Sequence, residues 1–190
     1  MMPENKIYLA YFKLKKTKLY YNQIKEYTGL SHSSLQNVLE KIIKLNIIKV
    51  EKTKSNIFYK IKNKKLFSLK FSEIAINLFE QLNLGVKSPL RNFLKIIPKD
   101  IFLVIIFGSA SKKEEKKESD IDLLIVTDLK HNLDKYKKEA EITSKYPISI
   151  FQCSTKQFIE NKDSVIIQAR KTGFPIYKEQ NFYEVLLDEY

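Results

Sequence analysis

Apolar positions along this chain change period several times, and each change marks an element. From Pro3 to Leu14, the residues Ile7, Leu9, Ala10, Tyr11 and Leu14 share one helical face. Lys18 to Tyr21 reads as a short extended piece. Asn22 can cap a helix to Tyr27, and Gly29 takes the turn. Ser31 then caps a second helix to Leu45, with Leu35, Val38, Leu39, Ile42, Ile43 and Leu45 as its apolar stripe. Strict alternation follows. Ile48 and Val50, then Ile57, Tyr59 and Ile61, alternate with Lys49, Lys60 and Lys62, which predicts a hairpin with a polar tip from Lys52 to Asn56.

Residues 66 to 84 give another helix, with Ser72 as a cap and Ile74, Leu78, Phe79 and Leu82 on one face; Gly85 ends it. Ser88-Pro89 reads as the start of a helix that Pro98 closes. The unbroken apolar runs 101–107 and 121–126 predict buried strands, and 148–152 a third. A charged helix spans 132 to 146, Thr155 caps a helix to Asn161, and 165–171 forms a helix ended by Gly173. Phe174 to Tyr177 reads as an edge strand, because Pro175 has no N–H for a ladder. A last helix covers Phe182 to Leu187. Strands with helices on one side describe a small α/β domain.

Charge divides the chain. The formal net charge of +12 lies wholly in residues 1–70, which hold sixteen Lys and four Glu, while the remaining residues balance. A basic module beside a neutral one implies a polyanion partner for the first and separate chemistry for the second. Tyr20, Tyr21 and Tyr27 are expected in the core of the basic module. One cysteine, Cys153, excludes an internal disulfide, and no Cys/His spacing suits a structural zinc. No signal-like or membrane-length apolar run is present, so a cytoplasmic location is expected.

Asp120 and Asp122 carry the candidate chemistry. One residue apart at the opening of a strand, they point to the same face, and two like charges so close call for a cation. Gly108 and Ser109 end the preceding apolar run, where a turn can offer N–H groups to phosphate. Between these pieces, the charged segment 112–118 (KKEEKKE) suits a solvated helix face, with Lys112 as a phosphate contact in the competing reading.

Two resemblances follow from these residues. Helix, helix, helix and basic hairpin over residues 5–64 resemble a winged helix-turn-helix domain. That resemblance implies duplex DNA as partner, with His32, Ser33, Ser34, Gln36 and Asn37 meeting base edges and Lys52 and Lys54 meeting phosphate. Gly108-Ser109, ten intervening residues and Asp120-Ile121-Asp122 resemble the minimal nucleotidyltransferases of the DNA polymerase β superfamily over residues 88–178. The whole chain resembles archaeal proteins that carry such a domain behind a winged helix. The implied fold class is α/β, an α+β nucleotidyltransferase fold with a small mixed sheet and helices, preceded by a winged helix-turn-helix domain. Its domains are 1–65, a helical linker 66–87, and 88–190.

The second resemblance implies Mg2+ or Mn2+ at Asp120 and Asp122 as the catalytic and metal-binding acids. An NTP such as ATP would be held by Gly108, Ser109 and Lys112, with a protein or tRNA as acceptor; a homodimer is what the winged-helix resemblance implies. Two positions depart from the family pattern. Lys112 and Lys113 stand where Arg-Gly is common, and the strand 148–152 offers Ser149 where catalytic relatives have a third carboxylate. Asp134, Glu139 and Glu141 are acids from the preceding helix that could substitute. The expected function is transfer of a nucleoside monophosphate from an NTP to a hydroxyl. The alternatives are a transcription regulator with a weak or inactive domain acting as a nucleotide sensor, and an antitoxin-like autorepressor.

Overall fold

The computed structural model describes residues 2–116 and 118–189; Met1, Lys117 and Tyr190 lie outside them. The chain forms two units, Met1–Ile74 with Tyr183–Tyr190, and Ala75–Phe182. No helix among the described residues is long and apolar enough to cross a membrane.

In the first unit, α1 (Pro3–Leu14) opens with proline at its first position and buries Ile7, Tyr8, Ala10 and Tyr11. β1 (Lys18–Tyr20), α2 (Tyr21–Thr28) and α3 (His32–Lys44) follow, then β2 (Ile48–Lys52) and β3 (Ile57–Ile61). The strands form one antiparallel sheet in the order β1-β3-β2. Gly29, at φ +61°, makes the left-handed turn between α2 and α3. The Tyr11 hydroxyl donates to the Tyr59 carbonyl at 2.7 Å and ties α1 to the sheet. Phe67 and Phe71 of α4 (Lys64–Glu80) meet Tyr8, Tyr11, Phe12 and Tyr183 edge to face at centroid distances of 5.0–5.5 Å.

Four expectations fail in this unit. Asn22 lies inside α2, and Gln23 turns back to accept the Tyr20 N–H at 3.0 Å. The α3 stripe narrows to Leu35, Leu39 and Ile42, because the helix ends at Lys44 and leaves Leu45 57% exposed. Tyr20 and Tyr27 are each 39% exposed and not core. Ser72 sits mid-helix in α4, its hydroxyl donating to the Ser68 carbonyl at 2.8 Å, so it starts nothing.

The second unit is built on a four-stranded mixed sheet in the order β6-β5-β4-β7. β4 (Leu103–Phe107) runs antiparallel to β5 (Ile121–Val126) and to β7 (Phe174–Tyr177), while β6 (Ile148–Cys153) is parallel to β5. Every residue of β4 is buried, whereas β6 is partly exposed at Ser149 to Gln152. β7 and its Pro175 take an edge, as the missing N–H requires.

Helix boundaries in this unit moved more. α5 (Leu84–Ile96) contains Gly85 and Pro89, because Val86 and Lys87 both donate to the Asn83 carbonyl and open the helix five residues earlier than Pro89. α6 is short (Asp134–Glu141); the Ser144 hydroxyl accepts the Tyr146 N–H at 3.2 Å and turns the chain ahead of Pro147. α7 (Thr155–Glu160) is capped by Ser154, not Thr155, with Asp128 accepting the Thr155 N–H at 2.8 Å. α8 (Ser164–Thr172) is capped by Asp163, and α9 spans Glu179–Asp188. Among the described residues of 112–118 there is no α-helix. A 3-10 turn at Ala110–Lys112 ends where Lys113 enters the left-handed region at φ +61°, and the Asn83 side-chain amide donates to Glu115 beyond it. Lys117 of that segment lies outside the described residues.

Candidate active site

The sheet brings the candidate acids and the turn together by register. β4 delivers Phe107 opposite Asp122, and Asp122 in turn lies beside Ser149 of β6. Strand alternation puts Asp120, Asp122, Ser149 and Phe151 on one face. On that face the Ser149 hydroxyl donates to Asp120 Oδ2 at 2.9 Å. Phe151, 40% exposed, sets its ring 5.8 Å from that of Phe107.

Gly108 follows Phe107 at φ +69°, and a Cβ built on it would overlap Asp122 Oδ2. Only glycine allows the turn to pass this close to the carboxylate. The turn is held by its own bonds. Ser109 accepts the N–H groups of Lys112 and Glu114 at 3.0 and 3.1 Å, and the Ser111 hydroxyl donates to the Gly108 carbonyl at 2.8 Å. Lys112 is exposed at the end of this turn.

Asp122 is half-buried and Asp120 exposed. Burial, and then the charge of Asp120, push the Asp122 carboxyl above its ordinary range. Both causes disfavour its anion, and a bound cation opposes both. The donors on this face are hard oxygens from two carboxylates and a serine hydroxyl, which fits a magnesium-like ion. Among the described residues, no three His, Cys, Asp or Glu side chains gather into a metal cluster. Glu141 does not supply a third acid. It accepts the Ile148 N–H at 2.8 Å and so fixes the start of β6, while Asp134 and Glu139 are exposed on α6.

The remaining candidates lie on the first unit. Ser31 caps α3 by accepting the Ser34 N–H at 3.3 Å, and Ser33 lies 3.4 Å from the Ser31 hydroxyl. His32 Nδ1 meets the Tyr21 hydroxyl at 2.7 Å. Gln36 and Asn37 are exposed on α3, as are Lys52 at the end of β2 and Lys54 in the tip, which the Thr53 N–H to Asn56 carbonyl bond closes at 2.8 Å. Sequence reading missed Tyr21 as the partner of His32 and Phe107 as the partner of Phe151. Neither pairing has a local signal, since one crosses the α2–α3 turn and the other crosses a strand.

Residues 90–181 match the sequence family described as polymerase beta, nucleotidyltransferase. That stretch is a nucleotidyltransferase domain of this family, and it contains the Gly108-Ser109 turn, both aspartates and Ser149. The mixed α/β architecture agrees with it. No curated protein matches the sequence. Among solved structures, the chain is similar to TrmBL2, described as an archaeal chromatin protein with a novel mode of DNA binding. Identity is 14% over 90% of this chain and 72% of that one, and the TM-score is 0.29, too low to bear on fold or function.

Proposed function

We propose that the protein binds duplex DNA through a winged helix-turn-helix domain at 1–65. We further propose that its nucleotidyltransferase domain moves a nucleoside monophosphate from an NTP, ATP foremost, to a hydroxyl of a protein or nucleic acid. The observation that carries the enzymatic reading is the shared face of Asp120, Asp122 and Ser149 against the Gly108 turn. Asp120 and Asp122 would hold Mg2+ or Mn2+, which when bound neutralises phosphate charge and lowers the pKa of the attacking hydroxyl. Gly108 and Ser109 let the backbone approach the phosphates, and Lys112 adds a point charge. On the first unit, the exposed ends of His32, Gln36 and Asn37 suit base edges, and Lys52 and Lys54 suit phosphate.

A second reading rests on Ser149. A hydroxyl where catalytic relatives have an acid favours a nucleotide-sensing regulator with weak chemistry. Losing one metal ligand where charge develops costs several kcal/mol of transition-state stabilisation, which is roughly a thousandfold in rate. Incubating the full chain with labelled NTPs, Mg2+ or Mn2+ and candidate acceptors separates the two. Label transfer that disappears in the Asp120→Ala/Asp122→Ala double variant is the expected result. Nucleotide binding without any transfer overturns the enzymatic reading and leaves the sensor.

A further inference from the structure

The sheet of the first unit has two unlike faces. Leu19, Ile48 and Ile61 point to one and are buried. The other carries Lys18 and Tyr20 from β1, Phe58 and Lys60 from β3, and Lys49 and Glu51 from β2. Register confirms the grouping, since Lys18 and Lys49 both lie beside Lys60, and Tyr20 and Glu51 both lie beside Phe58. Within it the Tyr20 and Phe58 rings lie against each other at a centroid distance of 4.3 Å, tilted by 35°. Lys18 Nζ sits 4.9 Å from the Phe58 ring centre. Glu51 holds Lys49 at 3.0 Å and Lys60 at 3.8 Å. Tyr20 is 39% exposed, and the Lys49 side chain is 50% exposed.

We infer that this outer sheet face binds a single strand of nucleic acid, with bases stacking on the Tyr20–Phe58 pair and phosphates meeting Lys18, Lys49 and Lys60. Three cations around a partly exposed aromatic pair complement a strand in charge, and the exposed part of Tyr20 offers a ring to a base. A duplex cannot use the rings, because its paired bases already cover one another's faces. The site lies neither on α3 nor on the sheet face that carries Lys52, so its residues are not those of the duplex-binding reading. Glu51 is its counterweight. By holding two of the three lysines it limits their contact with phosphate, and its own charge repels the strand.

The test is fluorescence anisotropy with the full chain and labelled single-stranded RNA and DNA of about 12 nucleotides, within the usual site size for such surfaces. A blunt duplex of the same length serves as a separate arm. Expected is strand binding whose log K falls with log salt at a slope of about −2 for three phosphate contacts. Tyr20→Leu, which keeps bulk but removes the ring, weakens strand binding about tenfold and leaves duplex binding unchanged. Glu51→Gln tightens it. RNA and DNA arms that differ identify which strand is preferred. Circular dichroism checks that Tyr20→Leu folds; if it does not, Glu51→Gln decides alone. No strand binding, or strand binding that neither variant alters, overturns the inference. So does self-association of the chain that Tyr20→Leu abolishes, which would make this face a contact between copies. Loss of duplex binding alone would sink the winged-helix reading and leave this one standing.

Discussion

The Ser149 hydroxyl donates a hydrogen bond to Asp120 Oδ2 at 2.9 Å, and on the neighbouring strand Asp122 lies beside the same serine. Ser149 therefore occupies the third corner of a site whose other two corners are carboxylates. Replacing it by aspartate adds a third hard ligand at a position the sheet already aims at the pair. Ser149→Asp is expected to raise the metal-dependent transfer rate by at least about tenfold, equivalent to 1.4 kcal/mol of barrier. Single-turnover transfer of labelled NTP measures this. An unchanged or lower rate would show that Ser149 is not where the chemistry lacks a ligand.

Gly108 fixes the distance between turn and carboxylate. Gly108→Ala puts a Cβ at φ +69° and into Asp122 Oδ2, so it combines backbone strain with a steric clash. The expected cost is about 1–3 kcal/mol of stability, with loss of metal-dependent nucleotide binding. Chemical denaturation and a Mn2+ titration check the two effects separately. Wild-type metal affinity in a destabilised variant would mean that the turn does not belong to the site.

Stability should report the strain on Asp122. Burial and Asp120 raise its carboxyl above the ordinary 3.8, so the folded chain holds that proton more tightly than the unfolded chain. The unfolded state then binds fewer protons between the two pKa values, and stability falls as pH rises through that window. Asp122→Asn is expected to raise the melting temperature at neutral pH in EDTA, with no gain below pH 3.8. Mg2+ should raise the melting temperature of the wild type and not of the variant. A neutral-pH melting temperature lowered by Asp122→Asn would contradict this.

Much of this site was legible along the chain, because strand alternation alone fixes which side chains share a face. The runs 101–107 and 121–126 became β4 and β5 with little adjustment, and the aspartate pair followed from the second. Ser149 was legible for the same reason. What stayed hidden depends on partners distant in sequence or on competing caps. Tyr20 meets Phe58 across a strand pairing that no local pattern encodes, which is why it read as core. Ser88-Pro89 looked like a helix start because proline is favoured there, yet the Asn83 carbonyl captures two N–H groups one turn earlier. Charged pairs in 112–118 suggested a helix, but Lys113 in the left-handed region ends it after one turn.

Duplex recognition makes a distinct prediction. With about six phosphate contacts, log K for duplex DNA should fall with log salt at a slope of roughly −5. Gln36→Ala with Asn37→Ala should cost about 1–3 kcal/mol against a preferred sequence and little against random DNA. Lys52→Gln with Lys54→Gln should weaken both equally and flatten the slope. Electrophoretic mobility at several salt concentrations reads all three, and a salt-insensitive or undetectable affinity would remove the DNA-binding role.

The enzymatic and sensing readings share one claim, that Asp120, Asp122 and the Gly108 turn form a metal-dependent nucleotide site. Titration calorimetry of the full chain with ATP tests it most directly, in Mn2+ and in EDTA, against the Asp120→Asn/Asp122→Asn double variant. Binding is expected in Mn2+ and weakens at least about a hundredfold, or 2.7 kcal/mol, in EDTA or in the variant. Nucleotide binding of equal strength in all three conditions, or in none, would contradict it.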